Sequence, residues 1–309
     1  MFRNILIIAD IDGSSGCWDR SGARFMTRAW QQACIAMSQD VDAVVRALFD
    51  NGVEGVHVVD FHRTAYNLLP HLIDRRARIT QGYSKGPIPG IGSVQGADAV
   101  MFIGMHAASG TAGFLAHTLT SRIASLRVNG RLLSEVELFA SVLAPFELAP
   151  LFFSGCPVAC KQAAGAIPGI VTHPIDKSAG SKEFDAPSWR LDLAEAAVAA
   201  LQNGGTRCPD FNGPIEAEVR MHDKAAASAV ALRWNCEFSN GSIRFTVPNA
   251  SELYLQLIRV CYLSPRIERF MGLSLFFYRL MGRAAWLLVF MASQPPSRAN
   301  QCNQSNKRF

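Results

Sequence analysis

A chain of 309 residues that is 49% apolar can bury one or two cores, which excludes a disulfide-stapled mini-fold and a largely disordered polymer. The net charge of +5 is small and gathers near the C-terminus, where Arg266, Arg269, Arg279, Arg283, Arg298, Lys307 and Arg308 face one acid, Glu268; the near-neutral remainder offers no footprint for nucleic acid. Eight scattered cysteines and a start without a secretory signal lead to an expectation of reduced thiols in a cytoplasmic protein.

The first apolar run, residues 4–9, ends at Asp10 and has the character of a fully buried parallel strand. After a Gly/Ser-rich turn, Trp30, Cys34, Met37, Val41, Val44 and Leu48 recur at steps of three and four, which predicts a helix stopped by Gly52. Residues 53–60 form a second strand followed by Phe61-His62, and 98–104 a third followed by Met105-His106. The stretches 122–128 and 131–133 flank Asn129-Gly130, the pair favoured in two-residue hairpins. Ser134 with Glu137 then reads as a capping box, leaving Glu135 free to point elsewhere.

Further strands are expected at 150–154 and 169–172, with a helix at 157–166 between them and another over 189–203 that begins after Ser188. Cys156 and Cys160, at helical spacing, are read as packing residues. The chain divides into an α/β unit at 1–204, a largely parallel sheet flanked by helices; a smaller α+β unit at 205–265; and a helical extension at 266–309, ending in disorder from 294. In open α/β sheets ligands bind at the carboxyl ends of the strands. Three strands deliver Asp10, His62 and His106 to that end.

Two divalent metals side by side need a bridging carboxylate with imidazoles and carboxylates on each flank. Asp10 and Asp12 point the same way in an extended segment, His62 and His106 supply neutral nitrogens, and Glu135 adds a carboxylate. Each signal has a blander reading. Asp-x-Asp after a strand also begins magnesium phosphatases, and a strand-end histidine is more often a hydrogen-bonded surface residue than a ligand.

Four segments in order, IIADIDGSSG (7–16), VVDFHR (58–63), MFIGMHAASGTAGFLAHTL (101–119) and VNGRLLSEVELFA (128–140), resemble the zinc-dependent D-aminopeptidases of the dipeptide-permease-operon type. The resemblance runs from residue 4 to about 262. It implies two zinc ions per chain (or another divalent metal), with Asp10 bridging, Asp12 and His62 completing one site, and His106 and Glu135 the other. It implies His117 as the catalytic residue outside the metal shell; an ordinary structural histidine is the alternative. Small peptides or amides, D-amino-acid peptides among them, would be the substrates, and the protein would be a homo-oligomer, with a ring as the family's form of assembly.

The chain departs from the family in two places. Asp12 stands where the family has Glu, and Gly155-Cys156-Pro157 replaces a Gly-Asp-Asp segment. The alternatives to an aminopeptidase are a metal-dependent amidase acting on a non-peptide or biosynthetic intermediate, and a non-catalytic assembly protein on the same fold. In the extension, Arg279 and Arg283 interrupt the apolar run at 270–291, which argues against a membrane span. Arg269, Arg279 and Arg283 share one sector of a helical wheel. Packing in an oligomer is the expectation, ahead of an in-plane contact with a membrane surface.

Overall fold

The structure, a computed structural model, describes residues 2–294 apart from 179, 204–206 and 212. In chain order its elements are β1 (Asn4–Ala9), α1 (Arg20–Ala23), α2 (Arg28–Asp50), β2 (Gly55–Asp60), β3 (Arg78–Thr80), β4 (Ala99–Met105), β5 (Ile123–Val128), β6 (Arg131–Leu132), α3 (Glu135–Leu143), β7 (Ala149–Gly155) and α4 (Pro157–Ala166). There follow β8 (Val171–Pro174), α5 (Ala186–Ala200), β9 (Ile215–Met221), α6 (Lys224–Arg233), β10 (Glu237–Ser239), β11 (Ser242–Val247), α7 (Ala250–Tyr262), α8 (Pro265–Arg269) and α9 (Met271–Ser293). The expected tail at 294–309 lies outside the described residues from 295 on.

Six strands form a parallel sheet in the order β3-β2-β1-β4-β7-β8. The chain runs outward from β1 through β2 and β3, then returns to place β4 on the other flank of β1. The strand order therefore reverses between β1 and β4, and at such a switch point the carboxyl ends open a crevice. Alternate residues of these strands face opposite ways. Ile5, Ile7, Val58, Met101 and Ile103 join α2, α5 and part of α9 in one core; Leu6, Ile8, Val59, Val100 and Phe102 join α3, α7 and the second sheet in the other.

The predicted stripe of α2, Trp30 to Leu48, is 0–1% exposed at all six positions, each worth roughly 1.5–3 kcal/mol of burial. Its start is fixed by Thr27, whose hydroxyl accepts from Trp30 N at 3.0 Å. The second sheet, in the order β10-β11-β9-β5-β6, is antiparallel. It joins the hairpin at 123–132 to strands beyond 214, so one sheet draws on both the 1–204 and the 205–265 stretches. Asn129 and Gly130 have φ of 49° and 79°, the left-handed pair that a tight two-residue hairpin turn requires.

Three local expectations change. The α5 cap is Asp185, not Ser188: the Asp185 carboxylate accepts from Ser188 N at 3.2 Å, and Pro187 sits in the first turn, where its missing N–H costs nothing. Ser134 caps α3, but the Glu137 carboxylate pairs with Arg131 at 2.6 Å. Arg269 ends α8, before α9 begins, and so shares no wheel with Arg279 and Arg283.

Candidate metal centre

The crevice between β1 and β4 is built by close backbone passage. Asp10 N donates to Ile103 O at 2.9 Å and Gly13 N to Gly104 O at 2.7 Å, tying the loop after β1 across the end of β4. A Cβ on Gly13 would lie 2.1 Å from Met105 O, so only glycine lets the two segments approach this closely. That approach sets Asp10 and Asp12 beside His106, one residue past β4.

His62 follows β2 in a loop organised by Asp60. The buried Asp60 carboxylate accepts from His62 N at 3.3 Å, Leu68 N at 2.9 Å, Asn67 Nδ2 at 2.8 Å and Asn67 N. Asn67 in turn accepts from Trp30 Nε1 at 2.9 Å, anchoring the loop to α2. Glu135 opens α3, with Oε1 accepting from Leu119 N.

The five candidate ligands converge on Asp10. Its Oδ1 lies 3.0 Å from His62 Nδ1, and its Oδ2 lies 3.5 Å from His106 Nε2. His106 Nε2 is also 3.3 Å from Glu135 Oε2. Asp12 Oδ2 stands 3.7 Å from both His62 Nδ1 and His117 Nε2. Among the described residues, the tightest metal-capable groups are Asp10-Asp12-His62 and Asp12-His106-His117. The second group substitutes His117 and Asp12 for the Glu135 and Asp10 of the expected set, although Glu135 Oε2 lies 3.3 Å from His106 Nε2.

The site fits cations. Asp12 Oδ1 is buried without a hydrogen-bond partner, and a buried carboxylate oxygen left unpaired is costly unless a cation satisfies it. The separations of 3.0–3.7 Å between facing ligand atoms bracket the roughly 3.3 Å edge of a tetrahedron built on 2.0–2.1 Å bonds. Each ligand histidine is also oriented from behind. His62 Nε2 faces Ala23 O at 3.2 Å and His106 Nδ1 faces Ala107 O at 3.2 Å, so in the neutral imidazoles the N–H on these atoms can donate outward and leave the inner nitrogen's lone pair for a cation.

Without cations the cluster is electrostatically tense. Burial would raise Asp10, but the hydrogen bond from His62 and the charges of three histidines bring it down to about 2. Burial and then the Asp10 charge push Asp12 up. Burial opposes charge on His106, yet Glu135 and Asp10 raise it well above the ordinary histidine range. His117 goes the other way, lowered by burial and by neighbouring His106. Its Nδ1 faces Leu115 O at 2.8 Å, and its side chain is 19% exposed where Asp12 is 2% and His106 is 2%.

Residues that sequence reasoning did not single out support the Asp10–Asp12 loop. Asp40 on α2 accepts from Ser15 N at 2.7 Å and Ser15 Oγ at 2.6 Å, while Arg190 of α5 donates to Asp40 Oδ1 at 2.8 Å. Lys177 donates to Ser14 O and to Cys17 O, the latter at 2.8 Å. No local motif announces these contacts, which span 150 residues or more for Arg190 and Lys177.

A family pattern described as D-aminopeptidase matches residues 3–259. The D-aminopeptidase of Bacillus subtilis (strain 168) is 27% identical over 202 residues, covering 63% of this chain and 72% of that protein. A solved structure, the Zn-dependent D-aminopeptidase DppA from Bacillus subtilis, described as a self-compartmentalizing protease, superposes with a TM-score of 0.74 at 22% identity over 83% of this chain and 96% of that one.

Proposed function

The chain belongs to the D-aminopeptidase family, and on that premise we propose that it hydrolyses the amide bond after the N-terminal residue of small peptides, D-amino-acid peptides among them. Two zinc ions would be held by Asp10, Asp12, His62, His106 and Glu135, with Asp10 shared. The observation that carries this reading is the carboxylate of Asp10, which turns one oxygen to His62 and the other to His106. Bound there, divalent ions supply Lewis-acid polarisation of a carbonyl and ready deprotonation of water near neutral pH.

The chain's own residues have distinct tasks in this reading. Asp10, Asp12 and Glu135 hold negative charge in a buried pocket, where electrostatic interactions gain strength from exclusion of water. The backbone carbonyls of Ala23 and Ala107 keep His62 and His106 in one tautomer. His117, its Nδ1–H engaged by Leu115 O, keeps Nε2 available at the more open side of the pocket. Nε2 takes the proton of the attacking water and returns it to the leaving amine, general acid–base work suited to a neutral imidazole.

Assembly into a homo-oligomer belongs to the same proposal, supported by the self-compartmentalizing relative. Elemental analysis of protein purified without chelator, together with a screen of D- and L-amino-acid amides and dipeptides, tests it. About two zinc ions per chain and turnover of D-amides are expected. Zinc without turnover of any amino-acid amide would point to a different amide substrate, and absence of metal would sink the reading.

A further inference from the structure

Helix α9 begins beyond residue 259, where the family match ends. One face of it docks on the body. Gly282, Ala285 and Val289 are buried, Trp286 Nε1 donates to Leu68 O at 3.0 Å, and Arg283 Nε donates to Tyr66 Oη at 3.2 Å. Arg279 donates to Tyr83 O. A Cβ on Gly282 would come within 2.4 Å of Tyr66 Cδ2, so glycine sets the depth of this docking.

The opposite face carries a second pattern. Leu273, Phe277, Leu280, Ala284, Leu287 and Met291 follow one another at steps of four, three, four, three and four. That is the 3.5-residue repeat of a helix–helix seam. All six are exposed, the five large ones at 53–62%. Phe276, Met281 and Leu288 widen the strip on its flanks.

The seam is also symmetric about residue 282. Position 273 mirrors 291, 277 mirrors 287, and 280 mirrors 284. A second α9 running antiparallel about a two-fold axis at that level would meet the same seam on itself, as an isologous contact demands. Leu280 would stand over the small Ala284, large against small. The eight large side chains of the strip are 38–62% exposed. Two of them are phenylalanines, which bury roughly 150–250 Å² each, and with the six Leu and Met side chains the strip offers several hundred Å² per copy, on the order of what each partner gives to a standard stable interface.

Other occupants fit less well. Residues 295–309 are mostly polar in sequence and contain no apolar run. A bilayer surface calls for cations beside the apolar strip, whereas Arg279 and Arg283 are engaged by Tyr83 and Tyr66 of the body. We infer that the outward face of α9 is a homodimer interface, in which α9 packs antiparallel on α9 of a second copy about a two-fold axis at the level of residue 282.

Sedimentation equilibrium of the full chain against Leu280→Asp/Leu287→Asp tests this, with circular dichroism and melting temperature reporting the fold. Both positions face outward, so the variant is expected to stay folded and to sediment at half the wild-type mass, whether the contact makes a simple dimer or joins larger assemblies. Register is tested separately by oxidative cross-linking. Leu280→Cys/Ala284→Cys should give a covalent dimer above the wild-type background, and Leu273→Cys/Ala284→Cys should not. Equal masses for wild type and variant would overturn the inference, as would no excess cross-linking at 280/284. Flotation of the wild type, but not the variant, with phosphatidylglycerol vesicles at unchanged mass would overturn it in favour of a membrane.

Discussion

His117 lies face to face on His106, with ring centroids 3.7 Å apart and planes 12° from parallel. Two imidazoles at this distance do not both carry a positive charge readily, and His106 has the better claim to it through Glu135 and Asp10. His117 is thereby left neutral, with Nε2 toward Asp12 and the open side of the pocket. In the proposed reading the stack sets a metal-holding imidazole, His106, against one that moves protons, His117.

His117→Ala should therefore keep metal content and fold while losing on the order of 10²–10⁴ in turnover, the range for one acid–base group. His106→Ala should lose metal and turnover together. Elemental analysis and steady-state kinetics on one amide substrate decide the matter. Loss of a metal from His117→Ala would make His117 a ligand, in keeping with its place beside Asp12 and His106; full activity would make it structural.

The unpaired Oδ1 of Asp12 ties stability to metal. Binding to the native state alone adds about 2.7 kcal/mol at a hundredfold excess over Kd, so chelation should lower the melting temperature by roughly 5–10 °C, given about 2–4 °C per kcal/mol in chains of 150–250 residues. Asp12→Asn should invert the comparison. It weakens metal uptake, but it also removes a carboxylate that burial and the Asp10 charge disfavour. The chelated variant should melt above the chelated wild type by on the order of 1 kcal/mol of stability. Calorimetry in chelator checks it, and a lower melting temperature for the variant would count against a frustrated, cation-seeking pair.

How much of this was legible in the chain follows from the range of the interactions. Apolar runs ending in Asp10, His62 and His106 mark strands and their carboxyl ends, because burial on both faces demands continuous hydrophobicity. The pairing of β5 with β9 was not legible. It joins residues over 85 apart, and alternation within either strand does not name its partner. Asp60 and Asp40 were passed over for a related reason: their partners are backbone N–H groups and a distant arginine, and neither leaves a periodic trace. The α5 cap moved from Ser188 to Asp185 because either side chain can cap, and Pro187 is accepted in the first turn of the longer helix as well as ahead of a shorter one. The seam on α9 was visible as apolar residues, but its outward direction required knowing which stripe the body covers.

Arg190 and Asp40 form an ion pair at 2.8 Å with side-chain exposures of 18% and 1%. Burial raises the Asp40 pKa, and Arg190 and the two Ser15 hydrogen bonds work against that rise. Arg190→Ala would leave a buried carboxylate uncompensated, a loss of about 3–5 kcal/mol in comparable pairs. Because Ser15 stands on the loop that carries Asp10 and Asp12, weaker metal binding should accompany the loss of stability. Urea unfolding and metal titration measure the two effects. Destabilisation below about 1 kcal/mol would show that solvent replaces the arginine.

The last expectation concerns acid and a histidine away from the centre. His57 lies on β2, with Nε2 2.8 Å from Thr80 Oγ1 on β3. Burial, and then the charge of Arg78, lower its pKa from 6.5 to about 4. The folded protein thus keeps His57 neutral where the unfolded chain protonates it. Between pH 6.5 and 4 the unfolded state binds the additional proton, so stability rises with pH and falls on acidification. The contribution is fully present above pH 6.5, declines through the window, and is exhausted below about pH 4. At about 1.4 kcal/mol per unit the loss has a ceiling of about 3 kcal/mol, reduced by the partial exposure of the ring. His62 and His106 shift upward and act in the opposite direction, so wild type alone would blur the effect. His57→Gln preserves a polar partner for Thr80 and removes the titration. Urea denaturation of both proteins in chelator, from pH 7.5 to 4, should show the wild type losing about 1–3 kcal/mol more than the variant. Parallel curves would mean that His57 titrates alike in the folded and unfolded chains, and that β2 and β3 hold together without a neutral imidazole between them.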